Sequence, residues 1–259
     1  MHYAVLTTGS CGNCYIFHEG GKAIIIDDGV TYTKLSRGLE MHGIPAEDIK
    51  AMFLTHLHPD HSKGVGVFQR KTGIPVYISD IAISRNGTVI DRQGIERNLL
   101  VPFSFGEEIR VDGFTVHPFR TCHDSEGSAG YRIVSDGNVS VFLMTDTGVI
   151  PDEAAALAMN SDVKFIESNY DEDMLENGPY PVHLRKRISG TYGHLSNTKA
   201  VEFARSVSRQ GDSVYFVHVS ANCNSPDVLR PFVMRSIPSG IFCRVCERGE
   251  TFEGFRDAR

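Results

Sequence analysis

Residues 55–61 read Thr55-His56-Leu57-His58-Pro59-Asp60-His61. Three histidines and an aspartate fall within positions 56–61. They come directly after the apolar run Ala51–Leu54, which reads as a short buried strand. On an extended turn alternate side chains project to the same side, so His56 and His58 can grip one ion. Asp60 and His61 then turn back toward a second. Imidazole and carboxylate donors together suit a borderline divalent metal such as zinc, manganese or iron. A solvated polar loop or one structural zinc is the plainer account, but so dense a run of ligand types is rarely accidental.

Working outward, similar donors stand just beyond other apolar runs. His123 follows the strand-like stretch Phe114–Phe119, in Thr121-Cys122-His123-Asp124. Asp146 follows Val139–Thr145, and His218 follows Val214–Val217. A single His or Asp in such a place is more often a cap or loop residue than a ligand. Four placements of one kind, counting the histidine-rich turn, shift that judgement toward a shared site.

The rest of the chain alternates strand-like and helical runs. Tyr3–Thr7, Tyr15–His18 and Ala23–Ile26 form an opening meander with Gly20-Gly21 as a hairpin turn. Lys34–His42 has helical spacing, as does Lys63–Lys71, which stops at Gly73. Val76–Ser79, Ile109–Val111, Phe114–Phe119, Tyr131–Val134 and Val139–Thr145 read as strands, the last two joined by Asp136-Gly137-Asn138. Helix Pro151–Met159, strand Val163–Glu167, helical stretches Asp171–Glu176 and Val182–Ile188, and helix Asn197–Arg209 follow. Strand Val214–Val217, helix Asp227–Arg235 and a final strand Ile241–Cys246 end the pattern. Two sets of strands, each followed by helices, predict an α+β sandwich with helices outside. With no repeat or linker, residues 1–259 read as one domain.

The 259 residues are 41% hydrophobic and 22% charged, enough apolar material to exclude disorder as the main state. No apolar run approaches the roughly 18 residues of a membrane span. The formal net charge is -6, so a globally basic nucleic-acid coat is absent. No secretory signal opens the chain, and its six cysteines are expected to stay reduced in the cytoplasm. Cys11/Cys14 and Cys243/Cys246 both have CxxC spacing and could in principle make a four-thiolate zinc site. The second pair lies in a strand-like run, where residues three apart face opposite ways, so a structural role is expected for both pairs.

His56-Leu57-His58-Pro59-Asp60-His61 is the HxHxDH motif, and the chain resembles the metallo-β-lactamase-fold hydrolases. Asp27, in Ile26-Asp27-Asp28-Gly29, matches that fold's first motif, and His123, Asp146 and His218 match its later ones. The resemblance implies an αββα sandwich of two mixed β-sheets with flanking helices, and a dinuclear metal site. One ion would take His56, His58 and His123, the other Asp60, His61 and His218. Asp146 would bridge them, and Asp27 would orient the metal loop. No Cys replaces a ligand, which argues against antibiotic hydrolysis. Ser10-Cys11-Gly12-Asn13, His61-Ser62-Lys63-Gly64, Glu167-Ser168-Asn169-Tyr170-Asp171 and Gly193-His194-Leu195-Ser196-Asn197 look like the YycJ (WalJ) branch, associated with 5′-to-3′ DNA exonuclease activity. Glu167 and His194 are also similar to the paired Glu and His motifs of ribonuclease Z. Neither a substrate-clamping arm nor a β-CASP insert is present in the sequence.

Two divalent ions a few ångströms apart can share a hydroxide as nucleophile and stabilise a phosphorane-like transition state. Asp60 can accept a hydrogen bond from that water while ligating. His194 is the best candidate to protonate the leaving oxygen, with Glu167 holding its tautomer and raising its pKa. Ser10 and Asn13, Ser196 and Asn197, and Arg185 and Arg187 in the basic run His183-Leu184-Arg185-Lys186-Arg187 are candidates for gripping a phosphate backbone. The expected function is a two-metal phosphodiesterase acting on nucleic acid, DNA first. A small-molecule phosphodiester, thioester or lactone hydrolase, and a non-catalytic metal-binding regulator, are the alternatives. Two divalent ions add +4, giving -6 + 4 = -2 for the loaded chain. Positive charge would then concentrate in one cleft, predicting modest DNA affinity with room for a protein partner.

Overall fold

In a computed structural model residues 1–258 are described. The chain runs β1 (His2–Thr7), β2 (Cys14–Glu19), β3 (Lys22–Ile26), α1 (Tyr32–Met41), β4 (Ile49–Phe53), α2 (Pro59–Ser62), α3 (Val65–Thr72) and β5 (Val76–Ser79). There follow α4 (Asp80–Arg85), α5 (Gly87–Arg92), β6 (Leu100–Phe103), β7 (Ile109–Val111), β8 (Phe114–Arg120), β9 (Ala129–Ser135) and β10 (Ser140–Met144). The remainder is α6 (Ala154–Met159), β11 (Val163–Glu167), α7 (Glu172–Glu176), α8 (Val182–Ser189), α9 (Asn197–Val207), β12 (Ser213–Val217), α10 (Pro226–Ser236), β13 (Phe242–Val245) and β14 (Phe252–Phe255).

The strands form two seven-stranded mixed sheets, ordered β14-β1-β2-β3-β4-β5-β6 and β13-β12-β11-β10-β9-β8-β7. Alternation along the strands explains the layering. Tyr3, Val5, Tyr15, Phe17, Ile24 and Ile26 point inward to a core shared with Tyr131, Phe165 and Val217 of the second sheet. Ala4, Leu6, Ile16 and Ile25 point outward, beneath Leu35 and Leu39 of α1 and Phe68 of α3. The outer face of the second sheet is closed by Ala200, Phe203 and Ala204 of α9 with Leu229 and Val233 of α10. Strands apolar on both faces need cover on both, and the αββα sandwich supplies it.

Several expectations need correcting. Residues 80–103 hold α4, α5 and the strand β6, where the pattern assigned nothing. Each of those helices buries one residue, Ala82 or Ile90, too few to leave a helical period. Pro102 lies within β6, and the strand tolerates it because β6 is the sheet edge. The strand at residues 242–245 is not the last: β14 follows and pairs antiparallel with β1. Gly254 disguised that strand, and its bare Cα lies against the ring of Tyr3.

Candidate metal centre

The donors gather where strands stop. Backbone pairing is parallel through β10, β11 and β12, so Asp146, Glu167 and His218 emerge at one end of the second sheet. Parallel pairing of β3 with β4 does the same for Asp27 and the turn carrying His56. Asp27, Asp146 and His218 have φ of 62°, 54° and 56°, the left-handed region that non-glycine residues seldom occupy. Each strand thus ends in an abrupt reversal that turns a functional side chain off the strand path. Such strain persists where surrounding structure over-determines it, and functional sites are where it clusters. At α2 the chain reverses with Pro59 in the first turn after His58, which parts His58 from Asp60 and His61.

One trio joins His56, His58 and His123, and another joins Asp60, His61 and His218, each with its donor atoms within 4.8 Å of one another. In the first, His56 Nε2 is 3.0 Å from His58 Nδ1, which is 3.2 Å from His123 Nε2. In the second, Asp60 Oδ2 is 3.6 Å from His61 Nε2 and 3.7 Å from His218 Nε2. Asp146 stands between them, 3.7 Å from His123 Nε2, 3.2 Å from His61 Nε2 and 3.7 Å from His218 Nε2. Asp146 Oδ2 and His218 Nε2 are buried without a hydrogen-bond partner. Buried polar atoms left without partners within one cluster fit a divalent cation, which would satisfy several at once.

The far nitrogens of the rings are held. His61 Nδ1 lies 2.7 Å from Asp27 Oδ2, and Asp27 also accepts from the Thr55 N–H and hydroxyl at 2.8 Å each. His56 Nδ1 meets the Thr55 hydroxyl at 3.0 Å and His123 Nδ1 the Gly193 carbonyl at 3.1 Å. His218 Nδ1 lies 3.0 Å and His194 Nδ1 2.7 Å from the same Glu167 Oε1. Glu167 Oε2 accepts from the Thr147 and Leu195 N–H groups at 3.1 Å each. A further grouping of Asp146, Glu167, His194 and His218 exists by distance, but Glu167 already spends both oxygens on N–H donors. Fixing the rings from behind in this way leaves His218 Nε2 and His194 Nε2 toward the cleft.

The electrostatics ask for positive charge. Burial works against the Asp60 carboxylate, yet His61 and His218 hold it down at about 2. Burial likewise opposes ionisation of Glu167, but His194 and His218 bring it down to about 2. Burial alone would lower His218, while Asp146, Asp60 and Glu167 lift it to about 10. His194 is raised in the same way by Glu167 against its burial. His56, boxed in by burial and by His61, is pushed well down.

The candidates for substrate contact separate. Ser10 is exposed. Asn13 is buried, its amide reaching the Asp60 carbonyl at 3.3 Å and His61 Nε2 at 3.0 Å, so it braces the metal turn. Ser196 caps α9 through the Lys199 N–H, and Asn197 Oδ1 accepts from the Ser168 hydroxyl at 2.8 Å. Arg185 folds back on the carbonyl and carboxylate of Glu176. Arg187 bonds Asp124, Nε to Oδ2 at 2.6 Å. Sequence reasoning passed over Asp124 and Thr55, although each adjoins a candidate ligand in the quoted segments. The cysteines form no cluster among the described residues. Cys14 packs beneath α1 while Cys246 lies in the inter-sheet core.

Known proteins resemble this chain in sequence and fold. The exodeoxyribonuclease WalJ of Streptococcus pneumoniae serotype 2 is 30% identical over 225 residues, 86% of this chain and 82% of that one. The exodeoxyribonuclease YycJ of Bacillus anthracis is 27% identical over 254 residues, 98% of this chain and 94% of that one. The crystal structure of the metallo-β-lactamase fold protein YhfI from Bacillus subtilis superposes with a TM-score of 0.70 at 21% identity, covering 98% and 99% of the two chains. No helix among the described residues is long and apolar enough to cross a membrane. With residues 24–219 matching the model of the beta-lactamase superfamily domain, the chain belongs to that family, as a YycJ-like protein of the metallo-β-lactamase fold.

Proposed function

We propose that this metal-dependent hydrolase is a nuclease that cleaves phosphodiester bonds of DNA from an end. The observation that carries the reading is the His194–Glu167 pair at 2.7 Å, set beside Asp146 at 3.6 Å from His194 Nδ1. Ester cleavage with an alkoxide leaving group needs a proton donor at the cleft, and a mere metal-storage site does not. The relatives named exodeoxyribonucleases over most of the chain support the DNA class.

His56, His58 and His123 would hold one cation and Asp60, His61 and His218 the other, with Asp146 shared. When bound, such a pair supplies a water of lowered pKa and positive charge for a phosphorane-like transition state, with zinc, manganese and iron all compatible with these donors. The rest falls to the protein. Asp60 stays ionised and accepts a hydrogen bond that orients the attacking water. Glu167 holds the Nδ1 proton of His194 and favours the imidazolium, so Nε2 carries a second proton that it hands to the departing oxygen. Asp27 and Thr55 keep His61 and His56 from turning.

The test uses purified protein with Mn²⁺ or Zn²⁺, end-labelled duplex DNA, and bis-p-nitrophenyl phosphate in parallel. Progressive shortening of the DNA from an end is expected. Cleavage of the dye ester with intact DNA would move the substrate to small phosphodiesters. Absence of any hydrolysis with both ions bound would overturn the enzymatic reading.

A further inference from the structure

The five candidate ligand histidines are held unequally. His56, His61, His123 and His218 have side chains no more than 3% exposed in the ion pairs they make or buried outright, and each has a firm partner on its far nitrogen. His58 is the exception, with a side chain 34% exposed, so packing does not fix its ring. Its far nitrogen, Nε2, faces one carboxylate oxygen, Asp124 Oδ1, at 3.5 Å. The same oxygen is 3.4 Å from His123 Nε2.

We propose that Asp124, clamped by Arg187, is the positioning residue that orients His58 in the first trio. The proposal rests on reading that trio as a metal site. Arg187 places both Nε and Nη2 on Asp124 Oδ2, at 2.6 and 2.5 Å, which leaves Oδ1 to the histidines. Two charge-assisted contacts hold that oxygen more firmly than one would. The first trio consists of imidazoles, and Asp124 sets a carboxylate beside two of them. A ring that ligates through Nδ1 becomes a stronger donor at Nε2, and a carboxylate there sharpens both ring orientation and ligand basicity. Arg187 lies in the last turn of α8. The loop that follows delivers the Gly193 carbonyl to His123 and carries His194, so one segment braces three groups of the site.

The test needs no nucleic acid. Metal-free protein is titrated with Mn²⁺ and Co²⁺ by calorimetry, with the visible spectrum of the cobalt form recorded. Asp124→Ala is expected to weaken one of the two binding events about 10- to 100-fold and to shift the cobalt band of that event, with the other event unchanged. Asp124→Asn, which keeps an acceptor oxygen, should recover part of the loss. Arg187→Gln should produce a smaller loss, and should add nothing to Asp124→Ala. Unchanged affinity for both ions in Asp124→Ala would overturn the proposal. So would equal loss in the Ala and Asn variants with a lowered melting point of the metal-free protein. A wild-type chain that takes up no ion would defeat the metal reading itself, a separate result.

Discussion

At the scale of the residue, His194 and Asp28 make contrasting predictions. His194→Ala should retain both ions by elemental analysis and lower the initial rate on DNA by about 10²- to 10⁴-fold, the usual reach of a general acid. An unaltered rate would remove His194 from the mechanism. Asp28 is fully buried, and neither oxygen makes a well-formed hydrogen bond. Burial, with Asp27 nearby, pushes its carboxyl up to about 7 from an ordinary value of 3.8, against the pull of the Val30 N–H and Lys63. The folded state therefore holds this proton more tightly than the unfolded chain does. Stability is full below the unfolded value and is lost as pH rises from there through about 7. Asp28→Asn in chelator-treated protein should melt above wild type at about pH 8.5 and match it below about pH 4. Equal melting points at the higher pH would contradict the assignment. The residues that gather into the two trios could be read in the sequence because metal ligation would demand such side-chain types. The cost carried by Asp28 could not, since it arises from surroundings contributed by distant segments.

At the scale of the element, three loops are laced by backbone hydrogen bonds. The Asn13 N–H reaches the Asp60 carbonyl at 2.7 Å, the Gly29 N–H the Asn13 carbonyl at 2.9 Å, and the Asp28 N–H the His61 carbonyl at 2.8 Å. A Cβ on Gly29 would sit 1.6 Å from the Asp60 carbonyl oxygen, so the approach requires glycine. Gly29→Ala should cost about 1–3 kcal/mol in denaturant unfolding and reduce ion uptake by the trio containing Asp60. Normal stoichiometry and midpoint would show that the loops can part freely. Elements with a strong period, such as α1, α9 and β11, were legible to within a few residues. Short elements with a single buried contact, α4 and α5, were not, nor were the edge strands β6 and β14 that carry Pro102 and Gly254. Arg185 and Arg187 show a related limit: a basic run marks charge, but only the fold reveals that the two guanidinium groups are paired with Glu176 and Asp124.

At the scale of the whole molecule, each trio draws donors from both sheets: His56 and His58 with His123, and Asp60 and His61 with His218. Chelation should therefore lower the thermal midpoint. At free ion a hundredfold above Kd, each site contributes about 2.7 kcal/mol, readable by scanning calorimetry with and without chelator. A midpoint indifferent to chelator would mean that the ions do not tie the sheets. Away from the site the two sheets meet mainly through apolar side chains, which attract without direction. At the site end the direct ties include the Ala129 N–H on the Thr55 carbonyl and the Tyr131 hydroxyl on the Leu54 carbonyl. Bound ions would add directional bonds at that end, while the opposite end is tied by the Gly137 N–H on Glu19 Oε2 and by Arg256 on the Gly211 carbonyl. Amide hydrogen exchange at the ends of β4 and β12 should then slow together as metal is added, and the two sheets should open as one unit where the bare protein opens them separately.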